Sequence, residues 1–284
     1  MEKPLVSVVM PSFNQAQFIE ASVAGVLGQS YQQLELVVVD GASTDGTQAV
    51  LARLQAADRR VRWVSEPDLG AADALNKGFA KVRGTLIGWL NSDDLYTAGA
   101  LERAVAALCS ERNLTMVYGH AEHIDALGQV IDRYDTRTPE AGLAGFATGC
   151  YICQPTVFFK RTFLRLLGNL DTTLQTAFDF DYWLRAFSAM PERIGFVDAV
   201  QAQSRLHAAC LTQKMRRTVA LEGAMLTHKY LGRAQLGWVV THFQEAHQAG
   251  QADLEQYFRQ LVDDASAFYT PEEVQALQRA AQLG

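Results

Sequence analysis

Short unbroken apolar runs alternate with stretches of helical spacing through the first ninety or so residues. Leu5 to Met10 is apolar and β-branched and closes on Pro11, which predicts a buried strand, followed by a turn at Ser12-Phe13-Asn14. Gln15 to Gln29 places Phe18, Ile19, Val23, Val26 and Leu27 on one face, the spacing of an amphipathic helix. A second strand is expected at Leu34 to Val39, closed by Asp40. Gly41 to Gly46 reads as a loop, with Thr44 or Asp45 as N-cap of a helix over Thr47 to Ala56. Val61 to Ser65 predicts a third strand, Glu66 to Gly70 a turn, and Ala71 to Val82 a helix with Ala74, Leu75, Phe79 and Val82 inward. The fourth strand, Thr85 to Leu90, stops abruptly at Asn91-Ser92-Asp93-Asp94.

The order is β-α-β-α-β-α-β, and its strands are continuously apolar rather than alternating. Such strands are covered on both faces, so the pattern predicts an α/β fold with a mostly parallel central sheet flanked by helices. In open parallel sheets ligands bind beyond the carboxyl ends of the strands. The groups closing these strands are Pro11 and Ser12, Asp40, Glu66 and Asp68, and Asn91, Asp93 and Asp94. All are expected along one rim. Beyond this the pattern loosens into a helix at Ala98 to Cys109, a strand at Thr115 to Gly119 and a hairpin at His123 to Tyr134 turning at Gly128. A strand at Thr156 to Phe159, helices at Arg161 to Leu167 and Phe180 to Ala189, and a strand at Ile194 to Ser204 follow. From Thr212 the chain reads as helical, cut by Gly232, Gly250 and Pro271 into roughly four helices.

Composition narrows the class. With 284 residues, 49% hydrophobic and 20% charged, the chain suits one large α/β domain or a domain with an appendage. A chain of this size buries about 75% of its unfolded surface, so disulfides are not required. The net charge of −6 argues against a nucleic-acid binder with a basic surface. Cys150 and Cys153 form one C-x-x-C with no second pair spaced for zinc, and the four cysteines are expected to be buried free thiols in a reducing cytosol. No run approaches 18 apolar residues, so neither a signal peptide nor a membrane span is expected.

Several polar residues stand where chemistry and plain structure compete. Asp93 and Asp94 repel each other; a divalent cation with a taste for oxygen ligands would relieve that, and so would an ordinary solvated turn. Asp40 is a loop or capping acid, or an acceptor for a ring N–H such as the imide of uracil. Asp73 and Lys77 are an i,i+4 helix pair, or they flank a phosphate-bearing ligand together with Asp68 and Asn76. Asp179 and Asp181 open a helix among aromatics. Capping explains one of them. A general base whose pKa is raised by apolar surroundings explains the other, with Arg185 four residues on as an anchor for Asp181. His207 follows a strand and is structural unless it meets the acids.

Taken in order, these stretches resemble the family-2 glycosyltransferases, inverting enzymes with the GT-A nucleotide-diphospho-sugar fold. The resemblance spans roughly residues 5 to 207. It rests on Val8-Val9-Met10-Pro11-Ser12-Phe13-Asn14, Val38-Val39-Asp40-Gly41-Ala42-Ser43-Thr44-Asp45-Gly46-Thr47 and Glu66-Pro67-Asp68-Leu69-Gly70. Asp73-Ala74-Leu75-Asn76-Lys77-Gly78, Trp89-Leu90-Asn91-Ser92-Asp93-Asp94, Gln154-Pro155-Thr156 and Asp179-Phe180-Asp181-Tyr182-Trp183-Leu184-Arg185 complete it. It implies a domain over residues 1–210, with a nucleotide-sugar half (1–95) and an acceptor half (96–210), and a helical extension over 211–284.

The resemblance also implies roles. Pro11 and Phe13 would line the base and Asp40 would read its polar edge. Asp68, Asp73, Asn76 and Lys77 would lie near ribose and diphosphate. Asn91-Ser92-Asp93 occupies the place of the family's D-x-D motif, so Asp93, with Asp94 and His207, is expected at a Mn²⁺ or Mg²⁺. Asp179 matches the base that deprotonates the acceptor hydroxyl, and Asp181 and Arg185 would support binding. The implied donor is a nucleotide sugar, a UDP-sugar first. The implied acceptor is a carbohydrate or lipid-linked carbohydrate, in cell-surface polysaccharide biosynthesis at the cytoplasmic side of a membrane, with a homodimer as a further option.

Two departures matter. Asn91 replaces the usual first acid, and Phe178 stands where many relatives carry Glu. The first keeps open a nucleotide-sugar-binding protein that has lost transfer; the second keeps open Asp179 against Asp181. A nucleotidyltransferase or a dinucleotide-binding dehydrogenase would need a Gly-rich loop after the first strand, and Pro11-Ser12-Phe13-Asn14 is not one.

Overall fold

β-Branched residues and leucine dominate β1 (Val6–Ser12) and β2 (Leu34–Asp40), and every residue of both strands is buried. The computed structural model describes residues 3–281. β1 pairs in parallel with β2 and with β4 (Leu86–Trp89), and β2 pairs in parallel with β3 (Val61–Ser65). The helices α1 (Ile19–Leu27), α2 (Thr47–Ala57) and α3 (Ala71–Lys81) are the crossovers between these strands. The N-cap of α2 is Gly46, in the left-handed conformation, rather than Thr44 or Asp45; Asp45 stands one residue earlier and its Oδ1 accepts the Thr47 N–H at 3.0 Å.

The sheet does not stay parallel. Its order is β3-β2-β1-β4-β8-β6-β9-β5, with β7 (Val130–Arg133) beside β6 (Met116–Ile124). β8 (Phe158–Lys160) runs antiparallel to both β4 and β6, while β6 and β9 (Ile194–Arg205) are parallel. β5 (Leu95–Tyr96) is a two-residue strand antiparallel to the end of β9. Sequence pattern missed it because two residues carry no period. The predicted hairpin is present as β6–β7, but β6 begins at Met116, so the strand expected at Thr115 to Gly119 and the hairpin's first arm are one strand.

α4 (Ala100–Ser110), α5 (Arg161–Leu167) and α6 (Phe178–Ala189) complete the layers around the sheet. Beyond β9 come a short α7 (Leu211–Lys214), then α8 (Arg216–Leu231), α9 (Leu236–Gln248), α10 (Leu254–Ala265) and α11 (Pro271–Ala281). These last helices build a core of their own from Val239, Phe243, Phe258, Leu261, Val262 and Leu277. They are tied to the sheet through α8, which packs on α6.

The cysteines are free, as expected, but only Cys153 is fully buried and Cys109 is exposed. Among the described residues no helix is long and apolar enough to cross a membrane.

Gly78 sets how closely α3 lies on the sheet. A Cβ there would come within 2.4 Å of Val9 Cγ1 and 3.3 Å of Val39 Cγ2. Gly78→Ala is therefore expected to destabilise the fold by about 1–3 kcal/mol through overpacking. A lowered urea midpoint at unchanged m-value checks this, and a wild-type midpoint refutes it.

Candidate active site

The carboxyl ends of β1, β2 and β4 lie side by side along one edge of the sheet, and Trp89 at the end of β4 packs on Phe178 at the start of α6. On this edge, Asp40 closes β2 and is fully buried. Its oxygens accept the Ser43 N–H at 3.0 Å, Ser43 Oγ at 2.5 Å and Ser65 Oγ at 2.7 Å. These bonds hold the β2–α2 loop, in which Ala42 takes the left-handed φ of 61° that a non-glycine residue adopts only under constraint. The neighbouring loop is stitched to it: Asn14 donates its N–H to Ser43 Oγ at 2.7 Å, and Thr44 donates its own to Asn14 Oδ1 at 2.9 Å. Pro11 is buried in β1, while Phe13 stands 61% exposed. Ser12 Oγ is buried without a partner.

Asp68 comes to the same side because Gly41 has no side chain; a Cβ there would lie 2.5 Å from Asp68 Oδ2. Burial lifts the Asp68 carboxyl above the ordinary range, the Gly70 N–H and Lys77 oppose this, and the Asp73 and Asp40 charges add to it. Asp73 and Lys77 form the i,i+4 pair at 3.1 Å, and Lys77 Nζ also donates to Pro67 O at 2.9 Å. Asn76 is engaged elsewhere. Its amide donates to Leu170 O and accepts the Leu170 N–H, at 3.0 and 2.9 Å, which clamps the approach to α6.

The acidic turn after β4 is buried rather than solvated: Asp93 is 9% and Asp94 3% exposed. Arg205, at the end of β9, meets both. Its N–H donates to Asp94 Oδ1 at 2.8 Å and its Nε to Asp93 O at 2.8 Å, while the guanidinium lies over the Phe18 ring. Asn91 Nδ2 donates to Asp94 Oδ2 at 3.2 Å and Asn91 Oδ1 accepts Trp89 Nε1 at 3.2 Å. Asp94 oxygens are thus taken by the protein, and burial followed by the Asp93 charge pushes its carboxyl well above the usual range. Asp93 keeps one oxygen turned to His207, with Oδ2 2.9 Å from Nε2. The His207 ring packs on Phe18 at 4.7 Å between centroids.

α6 presents Asp179 and Asp181 on different sides. Asp181 is 2% exposed and points at the tail, where it meets Arg185 Nε at 2.8 Å, Tyr230 OH at 2.8 Å and Lys229 Nζ at 3.4 Å. Asp179 has one Oδ1 contact, the Phe180 N–H at 2.7 Å. Burial raises its pKa to about 6, the backbone N–H groups oppose this, and the charge of Glu222 adds to it. Burial lifts the Cys153 thiol, and the Asp94, Cys150 and Asp179 charges raise it further. Trp89, whose ring stacks on Phe178 at 5.8 Å, ties the end of β4 to the start of α6.

The chain is similar to known proteins. A family model described as glycosyl transferase family 2 fits residues 7–168. The chain belongs to glycosyl transferase family 2. An uncharacterized glycosyltransferase of Rickettsia felis is 29% identical over 217 residues, covering 72% of this chain and 35% of its own length. The chondroitin synthase of Pasteurella multocida is 29% identical over 182 residues, 64% of this chain and 19% of its own. This family member thus spans about a third of its Rickettsia felis relative. S. aureus TarS 1–349 in complex with UDP-GlcNAc superposes with TM-score 0.69 at 17% identity, covering 96% of this chain and 83% of that one. The mannosyltransferase PcManGT from Pyrobaculum calidifontis, in complex with GDP-Man and Mn²⁺, gives 0.63 at 21%, covering 100% and 87%. At these identities the likeness establishes the GT-A fold.

Within this family-2 chain, sequence reading passed over two residues. Arg205 follows the strand expected at Ile194 to Ser204, and nothing in the sequence around it signals that its side chain crosses to Asp93. Glu222 of α8 accepts the N–H groups of Gln175, Thr176 and Ala177 at 2.7–2.9 Å, holding the residues that lead into α6. It lies 45–47 residues away in sequence, so no local pattern marks it.

The two acids of α6 predict opposite mutant behaviour. Asp179 has a folded pKa above its unfolded one, so its ionisation costs stability above about pH 6, and none below the ordinary carboxylate range. Asp179→Asn is expected to raise Tm at pH 8 and leave it unchanged at pH 4, read by scanning calorimetry. Asp181→Ala strands Arg185 and is expected to destabilise by about 3–5 kcal/mol at pH 7. Equal Tm shifts for the two variants at pH 8 would contradict this division.

Proposed function

We propose that this chain is an inverting glycosyltransferase that moves a sugar from a nucleoside-diphosphate donor, a UDP-sugar first, to an acceptor hydroxyl. The observation that carries the reading is the packing that ties two unlike acid centres together: Trp89, at the end of β4 just before the acidic turn, stacks on Phe178, the residue before Asp179. One is the Asp93–Asp94 turn, buried against Arg205 and His207; the other is Asp179. The first suits the departing diphosphate and the second the incoming hydroxyl.

The acids assigned to this site, Asp40, Asp68, Asp73, Asp93, Asp94 and Asp179, outnumber the basic groups assigned with them, Lys77, Arg205 and His207. An anionic donor entering so acidic a place needs added positive charge. Among the described residues no cluster of three or more His, Cys, Asp or Glu side chains stands ready for a metal. The Asp93 Oδ2 and His207 Nε2 pair, 2.9 Å apart, is nonetheless a fitting two-ligand set for Mn²⁺ or Mg²⁺, with donor phosphate oxygens as the remainder. Such an ion supplies Lewis-acid stabilisation of charge on the leaving diphosphate.

The protein's own part follows from its groups. Asp179, unprotonated above about pH 6, accepts the acceptor's hydroxyl proton as that oxygen bonds to the anomeric carbon. The bond from that carbon to the diphosphate oxygen breaks on the opposite face, with oxocarbenium character between. General-base help of this kind is worth roughly 10²–10⁴-fold. Asp68 is read as the ribose partner and Lys77 as the phosphate partner, while Asp40, its oxygens held by Ser43 and Ser65, orders the loop beside the base. The acceptor is read as a carbohydrate or lipid-linked carbohydrate.

Asn91 favours a second reading, a nucleotide-sugar binder without transfer. In this fold Asn91 bridges Trp89 and Asp94, where a third carboxylate would face Asp94 at close range. Asn91 therefore has a structural reason that does not require lost activity.

Turnover is expected to rise with pH through an apparent pKa near 6 and to be lost in Asp179→Asn with UDP affinity retained. A wild-type rate in that variant sinks the base assignment. Calorimetry with UDP should show at least a tenfold gain in affinity with Mn²⁺, abolished in Asp93→Ala and weakened in His207→Ala. Tight metal-independent binding with no turnover selects the second reading.

A further inference from the structure

A cavity of about 370 Å³ lies between the end of β9 and the tail helices α8 and α9, apart from the donor side. Leu206, Thr148, Trp238, Thr241 and the Arg216–Glu245 ion pair line it. Its size is that of small-molecule sites.

Two of the lining residues lead back to the catalytic groups. Leu206 sits between Arg205, which holds Asp93 and Asp94, and His207, which meets Asp93. Trp238 packs on Phe180, the neighbour of Asp179, at 5.5 Å between centroids. The opposite wall, His242, is 8% exposed and its Nδ1 has no partner, as has Trp238 Nε1. Both rings line the cavity, while these two nitrogens are turned away from its accessible surface.

We propose that this cavity is the acceptor subsite, and that it takes a neutral sugar ring. The inference rests on the transferase reading above and adds the site and the chemical class. A sugar ring has an apolar C–H face and a hydroxyl edge. Leu206, Val219 and Trp238 meet the face, and the threonine hydroxyls and the Arg216–Glu245 pair meet the edge. That pair sits 2.8 Å apart and cancels its own charge, so the lining favours a neutral ring over a phosphate. The tail helices then form a wall of the reaction site.

Gly237 supplies the test. It lines the cavity, and a Cβ added there meets nothing within 4 Å, so side chains grown from it enter open space. The measurement is calorimetric titration of the UDP-loaded full chain with p-nitrophenyl β-glycosides of glucose, galactose and N-acetylglucosamine. The expected result is that at least one binds, that Gly237→Ala weakens it slightly, and that Gly237→Leu weakens it at least tenfold while Tm does not fall. Equal glycoside affinity in wild type and Gly237→Leu overturns the cavity assignment. No glycoside binding to the UDP-loaded wild type overturns the sugar class. Failure of UDP itself to bind would instead count against the transferase reading, and the glycoside series run without UDP then still decides whether the cavity holds sugars.

Discussion

Two carboxylates on consecutive residues repel each other, and burial strengthens the repulsion because water no longer screens it. Asp93 and Asp94 stand in that position at the end of β4, and the fold is arranged to tolerate them. Arg205 supplies a backbone N–H to one and a guanidinium contact to the backbone of the other. Asn91 adds an amide donor to Asp94, and His207 faces Asp93. The pairing of β5 with the end of β9 delivers Arg205 to this turn, with Leu95 opposite Gln203. A two-residue strand is thus what brings the residues some 110 positions further along the chain to the acids.

The second acid centre depends on the tail in the same way. α6 carries Asp179 and Asp181 on different sides. Asp181 is anchored by Arg185 and Tyr230, and the residues leading into α6 are gathered by Glu222 of α8. The helix that carries Asp179 is therefore held from behind by helices that lie outside the central sheet, and these fix where its two acids stand.

The site divides its polar groups by how fully the protein already satisfies them. Asp40, Asp94 and Asn76 have their oxygens or amide committed to protein donors and acceptors. Asp93 and Asp179 each keep spare capacity. Buried polar atoms without partners are few in folded proteins, and those at Ser12 and His242 lie on the donor side and beside the tail cavity.

The sequence alone was enough for the crossover strands and helices of the first ninety residues. Continuous apolar runs and helical spacing are local, and burial on both faces writes them plainly. The same order of short stretches carried the family resemblance and the set of candidate acids. It was not enough for the antiparallel half of the sheet, where β5 and β8 are too short to carry a period. Nor did it separate Asp179 from Asp181, which are equally acidic and equally placed at a helix start. Their difference comes from partners across the fold, since Asp181 meets Tyr230 and Lys229 while Asp179 bonds only its neighbour's N–H, and a contact between residues far apart in the chain leaves no local signal. Glu222 and Arg205 gain their roles in the same way, because three-dimensional packing chose the partners of their charges.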